Sequence, residues 1–142
     1  MADEADEARV DWSFSSHRGE DLRGVNLCGA YLRRAILDGS DLTGANLSGA
    51  DLRNASLLDV NLNKAALDGA DLRGARLLRA KLSMSNMQGA KLEGADMRGI
   101  RGRYAIWRAA DWWNARLDDG LAKALAKKWP RAENEIAASA DE

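Results

Sequence analysis

Leucine returns every fifth residue through most of this chain, and few backbone shapes tolerate that interval. Leu occupies positions 22, 27, 32, 37, 42, 47, 52, 57, 62, 67, 72, 77, 82 and 92, and Met87 and Met97 keep the register, so 16 consecutive centres are Leu or Met. Two residues before each centre the side chain is small: eleven of the 16 are Ala, the others Val25, Val60, Ser40, Ser85 and Glu20. Two residues after it Gly recurs, at 24, 29, 39, 44, 49, 69, 74, 89, 94 and 99. An α-helix advances about 500° over five residues, so successive leucines would rotate by about 140° and line no single face. A flat strand fails as well, because an odd step sends alternate leucines to opposite faces. Glycine at this frequency would also weaken a helix by roughly 0.8–1 kcal/mol per residue.

The interval works if the backbone turns a corner once per repeat. The small residue and the Leu are two apart, so in a short extended segment both point inward and the residue between them points out. Outward positions hold Asp21, Asn26, Asp41, Asn46, Asp51, Asn61 and Asp71, as exposure demands. The next two residues make the turn, and Gly at the second supplies the positive φ that a type II turn requires.

The unit A(D/N)LxG, seen whole in Ala45-Asn46-Leu47-Ser48-Gly49, resembles the pentapeptide-repeat family over roughly 70–80% of the chain. The resemblance implies an all-β solenoid: a right-handed, four-sided (quadrilateral) parallel β-helix in which four repeats close a 20-residue coil. Residues 20–119 then make five coils, about 24 Å tall at a strand spacing of about 4.8 Å. The resemblance also implies a non-enzymatic protein. The best-understood members imitate B-form DNA and bind type II topoisomerases, conferring quinolone resistance, while most have no assigned role.

The repeat frays after residue 99. Trp107, Trp112 and Leu117 keep the register, but Gly102 takes a centre that should be apolar, so a looser last coil closed by aromatics, with Tyr104 and Trp113 helping, is expected. Asp118 or Asp119 is placed to cap a helix from about Gly120. Leu121, Leu125 and Trp129 form one apolar stripe on it before Pro130 breaks it, and a second short helix over 131–138 is predicted. The expected layout is therefore an acidic disordered tail (1–9), a β-helix (10–119) and a C-terminal amphipathic helical cap (120–142). Trp112, Trp113, Leu121, Leu125 and Trp129 are candidates either for a lid on the last coil or for a homodimer contact. At the other end Trp12 and Phe14 are candidates to plug the first coil.

With a formal charge of −1 the chain has no basic excess to draw nucleic acid, and direct nucleic-acid binding is not expected. A single cysteine, Cys28, excludes an intrachain disulfide and fits a reducing, cytoplasmic setting. No signal peptide or membrane span is expected. No catalytic, cofactor or metal site is predicted: His17 is the one histidine and is read as a solvated cap residue, and the glycines follow the turn register instead of forming a phosphate loop.

Surface candidates come from sorting residues at intervals of 20. Arg33, Arg53 and Arg73 should stack, with Asp51 and Asp71 beside them. Leu58 and Leu78, near Ile36, are candidates for an apolar contact strip. These residues point to a non-catalytic scaffold that binds a protein partner through its faces. The alternative, a DNA-mimicking binder of DNA gyrase that inhibits it or protects it from quinolones, suits the charge less well. Residues 20–119 carry 13 Asp/Glu and 15 Lys/Arg, a balance of +2, whereas a duplex shows about one negative charge per 1.7 Å.

Overall fold

Every fifth residue pairs in parallel with the residue 20 positions later, and this one rule generates the molecule. The computed structural model describes residues 9–131; the first eight residues and the second short helix expected after Arg131 lie outside them. Four ladders of isolated parallel bridges run up the solenoid β-helix. The first side carries Asp11, Tyr31, Asp51, Asp71 and Lys91; the second runs from Ser16 through Ile36, Ser56, Arg76 and Asp96 to Arg116. The third carries Asp21, Asp41, Asn61, Lys81 and Arg101, and the fourth Asn26, Asn46, Ala66, Asn86 and Ile106. Pairing begins at Asp11, so the coiled body starts about ten residues before the first leucine centre.

Backbone hydrogen bonds explain why each position in the repeat has its character. On the first side, Asp51 N–H donates down to Ala30 O (2.9 Å), Leu32 N–H donates up to Asp51 O (2.8 Å), and Arg34 N–H donates up to Arg53 O (3.0 Å). Ala35 N–H closes the turn on Leu32 O at 3.0 Å. That leaves one amide per repeat, the first turn residue, without a backbone partner. The outward Asp or Asn two residues earlier accepts it: Asn46 Oδ1 takes Ser48 N–H, Asn61 Oδ1 takes Asn63 N–H and Asn86 Oδ1 takes Gln88 N–H, each at 3.0 Å. These residues therefore satisfy an otherwise orphaned donor. Where the repeat has Ser56 or Lys81 at that position, a side chain from the coil below takes over. Asp38 Oδ1 accepts Leu58 N–H at 3.1 Å and Asn63 Oδ1 accepts Ser83 N–H at 3.0 Å.

The interior is a stack of Leu and Met centres, nearly all fully buried from Leu27 to Met97, between columns of buried Ala. Ser40 and Ser85 replace Ala without leaving an orphaned hydroxyl, since each Oγ donates to the carbonyl of the preceding centre at 2.7 Å. The second turn residue has positive φ throughout, and nine of these positions are not Gly, among them Phe14, Met84 and Tyr104 at φ 58–62°. An L-residue there costs about 1–2 kcal/mol.

Each end is closed differently. At the start, Trp12 and His17 take the centre positions of the first coil and stack, with ring centroids 4.0 Å apart. His17 is thus turned inward with its side chain 16% exposed, and is not a solvated residue. Phe14 does not plug the coil: it falls on the second turn position, points out and is 72% exposed. At the far end Gly102 leaves a centre without a side chain; a Cβ added there would lie 4.0 Å from the Trp107 ring, and Gly102, Trp107, Leu121 and Leu125 help to line a cavity of about 130 Å³. Tyr104 takes no part in closure for the same reason as Phe14, being on a turn and 77% exposed.

After a short 3-10 turn, Trp112–Asn114, the chain enters α1, Asp119–Lys128. Asp118 stands at its N-cap position without capping it; its carboxylate instead accepts Gly99 N–H at 2.8 Å. Asp111 likewise accepts Leu92 N–H at 2.6 Å. Two carboxylates thus stand in for carbonyls that a further coil would have supplied, and so blunt an open edge. Leu125 of α1 is buried in the core cluster, Leu121 and Trp129 pack against it, and the buried Trp112 donates its Nε1–H to Trp129 O at 2.8 Å.

Candidate interaction surface

The first side gathers the arginines as the spacing predicts, and the carboxylates between them hold them in place. Arg53 makes two hydrogen bonds to Asp51 (2.9 and 2.8 Å) and stands 3.8 Å from Asp71. Arg73 grips Asp71 in the same way at 2.9 and 2.6 Å, and Arg33 reaches Asp51 at 3.5 Å. Three cations thus share two anions. Burial and the neighbouring Asp71 push the Asp51 carboxyl above its usual range, against the pull of Arg33. Burial also opposes ionisation of Asp71, but hydrogen bonds from Arg73 outweigh it and hold that group below its usual range.

Leu58 and Leu78 do stack on successive coils, with Ile36 in the neighbouring column, but all three are half-buried. At the close spacing of the coils their side chains lie against neighbours in the stack, so the strip offers little free apolar surface. Exposed large hydrophobics are elsewhere: Phe14, Tyr31, Met84, Tyr104 and Ile106. Phe14 and Tyr31 join the lower end of the arginine column, where Asp11, Ser13, Phe14, Tyr31, Arg33 and Asp51 line a cavity of about 280 Å³. The Tyr31 hydroxyl accepts a hydrogen bond from Arg9 at 2.8 Å, and that guanidinium also stands over the ring. From the residue order Phe14 was expected to plug the first coil, and Tyr31 carried no expectation. The visible signal was Phe14 at a turn position that Gly fills in most repeats.

A second cleft, about 330 Å³, opens at the aromatic end between the last coil and α1, lined by Trp107, Trp113, Trp129, Pro130, Arg108 and Lys128 among others. Its ionisable side chains are both cationic, so it holds no acid–base pair. Trp112 and Leu125 are buried and Trp113, Leu121 and Trp129 half-buried within the same chain.

Ser15, His17 and Glu20 come together, with Ser15 Oγ 2.8 Å from His17 Nε2 and Glu20 Oε2 3.2 Å from His17 Nδ1. This is the spacing of a nucleophile relay, but the Ser15 hydroxyl donates to Trp12 O at 2.6 Å. Ser40 and Ser85 make that same bond inside the column. Ser15 is therefore spent on a turn carbonyl, and the His17 ring on covering the coil. Cys28 is exposed, and no cluster of potential metal ligands occurs among the described residues. No helix among them is long and apolar enough to cross a membrane.

Outward carboxylates on other sides titrate low. Hydrogen bonds from Arg23 hold Asp21 at about 2, those from Thr43 lower Asp41, and those from Arg79 and Arg98 lower Asp59 and Asp96. A carboxylate with a depressed native value adds stability that is complete above its unfolded value, about 3.9, and vanishes as pH falls through the native one. Asp51, being raised, works in the opposite sense. The melting temperature is expected to hold steady above about pH 5 and to fall between about pH 4 and 2. Asp21→Asn should flatten part of that fall in a circular-dichroism series; an unchanged profile would remove Asp21 from the account.

A family model of pentapeptide repeats (8 copies) matches residues 21–59 and 61–99. Among solved structures, a pentapeptide repeat protein from the Arabidopsis thaliana thylakoid lumen shares 38% identity over 78% of this chain and 77% of its own, with a TM-score of 0.75. The pentapeptide repeat protein Rfr23 from the cyanobacterium Cyanothece 51142 is 27% identical over 72% of this chain and 91% of its own, at a TM-score of 0.36. QnrB1, a plasmid-mediated fluoroquinolone resistance protein, is 19% identical over 83% of this chain and 65% of its own, at a TM-score of 0.38. No curated protein matches the chain. With its repeats, its ladders and more than half its length in the family pattern, this chain belongs to the pentapeptide-repeat family.

Proposed function

We propose that the chain is a non-catalytic scaffold of about five right-handed coils that binds a protein partner through its first side, with α1 serving as a lid on the last coil. One observation carries this reading: Phe14 and Tyr31 stand exposed beside Arg33 at the lower end of the arginine column. Exposed aromatics with arginine are the composition of binding hot spots. Phe14 also holds a backbone conformation that favours Gly, a cost the fold does not require. Burial of Trp112 and Leu125 within the chain supports the lid over a dimer contact for the C-terminal helix. Gyrase mimicry lacks comparable support, because the first side alternates Arg with Asp instead of offering unbroken negative charge.

The test is affinity capture with the wild-type chain, Phe14→Gly and Arg33→Glu. Phe14→Gly should be neutral or up to about 1 kcal/mol more stable, since relief at positive φ is partly offset by glycine entropy. It should nevertheless weaken retention of the partner about tenfold or more. Equal retention by all three proteins would sink the assignment to this side.

A further inference from the structure

The third side has an order of charge that no other side shares. Its outward column reads Asp21, Asp41, Asn61, Lys81, Arg101, with the sign reversing about its midpoint. We propose that this side is a self-complementary surface on which a second copy of the chain docks antiparallel, related by a two-fold axis passing between the two Asn61 residues. Rotation about an axis across the solenoid reverses the order of the coils but keeps each column facing its own kind. Asp21 then meets Arg101 of the second copy, Asp41 meets Lys81, and Asn61 meets Asn61. Both copies have the same coil spacing, so one registration satisfies all of these contacts together, as an isologous interface requires.

Shape agrees with charge. The adjoining turn column reads Gly24, Gly44, Lys64, Met84, Tyr104. In the antiparallel pair Tyr104 and Met84, 77% and 52% exposed, fall over Gly24 and Gly44 of the other copy. A Cβ built on either glycine finds nothing within 4 Å, so both positions have room for a large side chain. Between the two columns Thr43 faces Ser83. Like charges meet at three places: Lys64 faces itself at one rim, Asp59 faces itself at the other, where Arg79 holds it at 2.8 and 3.0 Å, and Arg23 faces Arg103, the former already held by Asp21 at 2.8 and 2.7 Å. Lys81 and Arg101 form no ion pair among the described residues, whereas Arg53, Arg73, Arg79 and Arg98 all do. A parallel pair would set Asp on Asp and Arg on Arg along the whole column, so charge selects the antiparallel one.

The surface is small. Five coils about 24 Å tall and about 15 Å wide bury roughly 700 Å² over both copies, below the range of permanent dimers. The expected behaviour is a salt-sensitive monomer–dimer equilibrium at concentrations on the order of 0.1 mM. It does not rest on the partner assigned to the first side, and Phe14→Gly leaves it unchanged.

Sedimentation equilibrium at low salt and at about 0.5 M salt tests it. The wild-type chain should dimerise in the first and dissociate in the second. An all-basic variant (Asp21→Lys with Asp41→Lys) and an all-acidic one (Lys81→Asp with Arg101→Asp) should each be monomeric alone and form a heterodimer when mixed. If either double variant melts early, Asp41→Lys mixed with Lys81→Asp asks the same question with less disturbance. A wild-type chain that stays monomeric at low salt, folded variants that fail to pair on mixing, or a dimer that survives both sets of changes would each overturn the proposal.

Discussion

Replacing Leu62 by Ala is expected to destabilise the protein by about 2–5 kcal/mol, as emptying a close-packed site does elsewhere. Leu62 is fully buried, in the same interior column as Leu42 below it and Leu82 above it. The backbone around it cannot collapse to fill the hole. Leu62 N–H is tied to Lys81 O at 2.8 Å, and Asn61 and Lys81 carry the ladder on that side. The same change at Leu22, half-buried in the first coil, should cost roughly half as much or less, because less surface returns to water. Urea unfolding of both variants measures the difference. Equal costs at the two positions would mean that the interior column is not the main source of stability.

The second large effect concerns Gly102 and Trp107. Gly102 stands where every centre from Leu22 to Met97 is Leu or Met, and the neighbouring indole would lie 4.0 Å from the first carbon of a side chain there. Gly102→Leu alone should crowd the Trp107 ring, with part of the new side chain entering the cavity of about 130 Å³ beside α1, and cost about 1 kcal/mol. Trp107→Leu alone should leave a cavity beside Gly102 and cost about 3 kcal/mol or more. Together they restore two ordinary repeats, so the double variant should be more stable than either single one. A double-mutant cycle by thermal unfolding reads that coupling; simple additivity would show that the ring and the missing side chain do not share one space.

Much of this molecule was legible in the residue order because a five-residue repeat leaves almost no freedom. Leu at the centre, Ala two before and Gly two after can be satisfied together only by a corner at each repeat, and every centre from Leu27 to Met97 is buried accordingly. The arginine column was legible for the same reason, since stacking at intervals of 20 is fixed once four repeats close a coil. The outward Asp and Asn looked like solvent-facing polar residues, and their main work went unread. They accept the one turn amide that the ladders leave over, which becomes apparent only when every donor is accounted for.

The ends followed different rules. Phe14 and Tyr104 look like plugs by composition, yet both fall on the second turn position, whose Cβ points away from the interior, and so both stand in water. Asp118 looks like a helix cap, yet the amide of Gly99 one coil below competes for its carboxylate and wins. Sequence by itself determined the corner in each repeat and which residues face inward, because local periodicity and turn chemistry agree at every step; the 20-residue coil was implied by the family resemblance and is seen in the ladders. Tertiary structure alone decided how the column is sealed and which side chains remain exposed beside one another. Those outcomes depend on contacts between residues many positions apart, where no periodic rule applies.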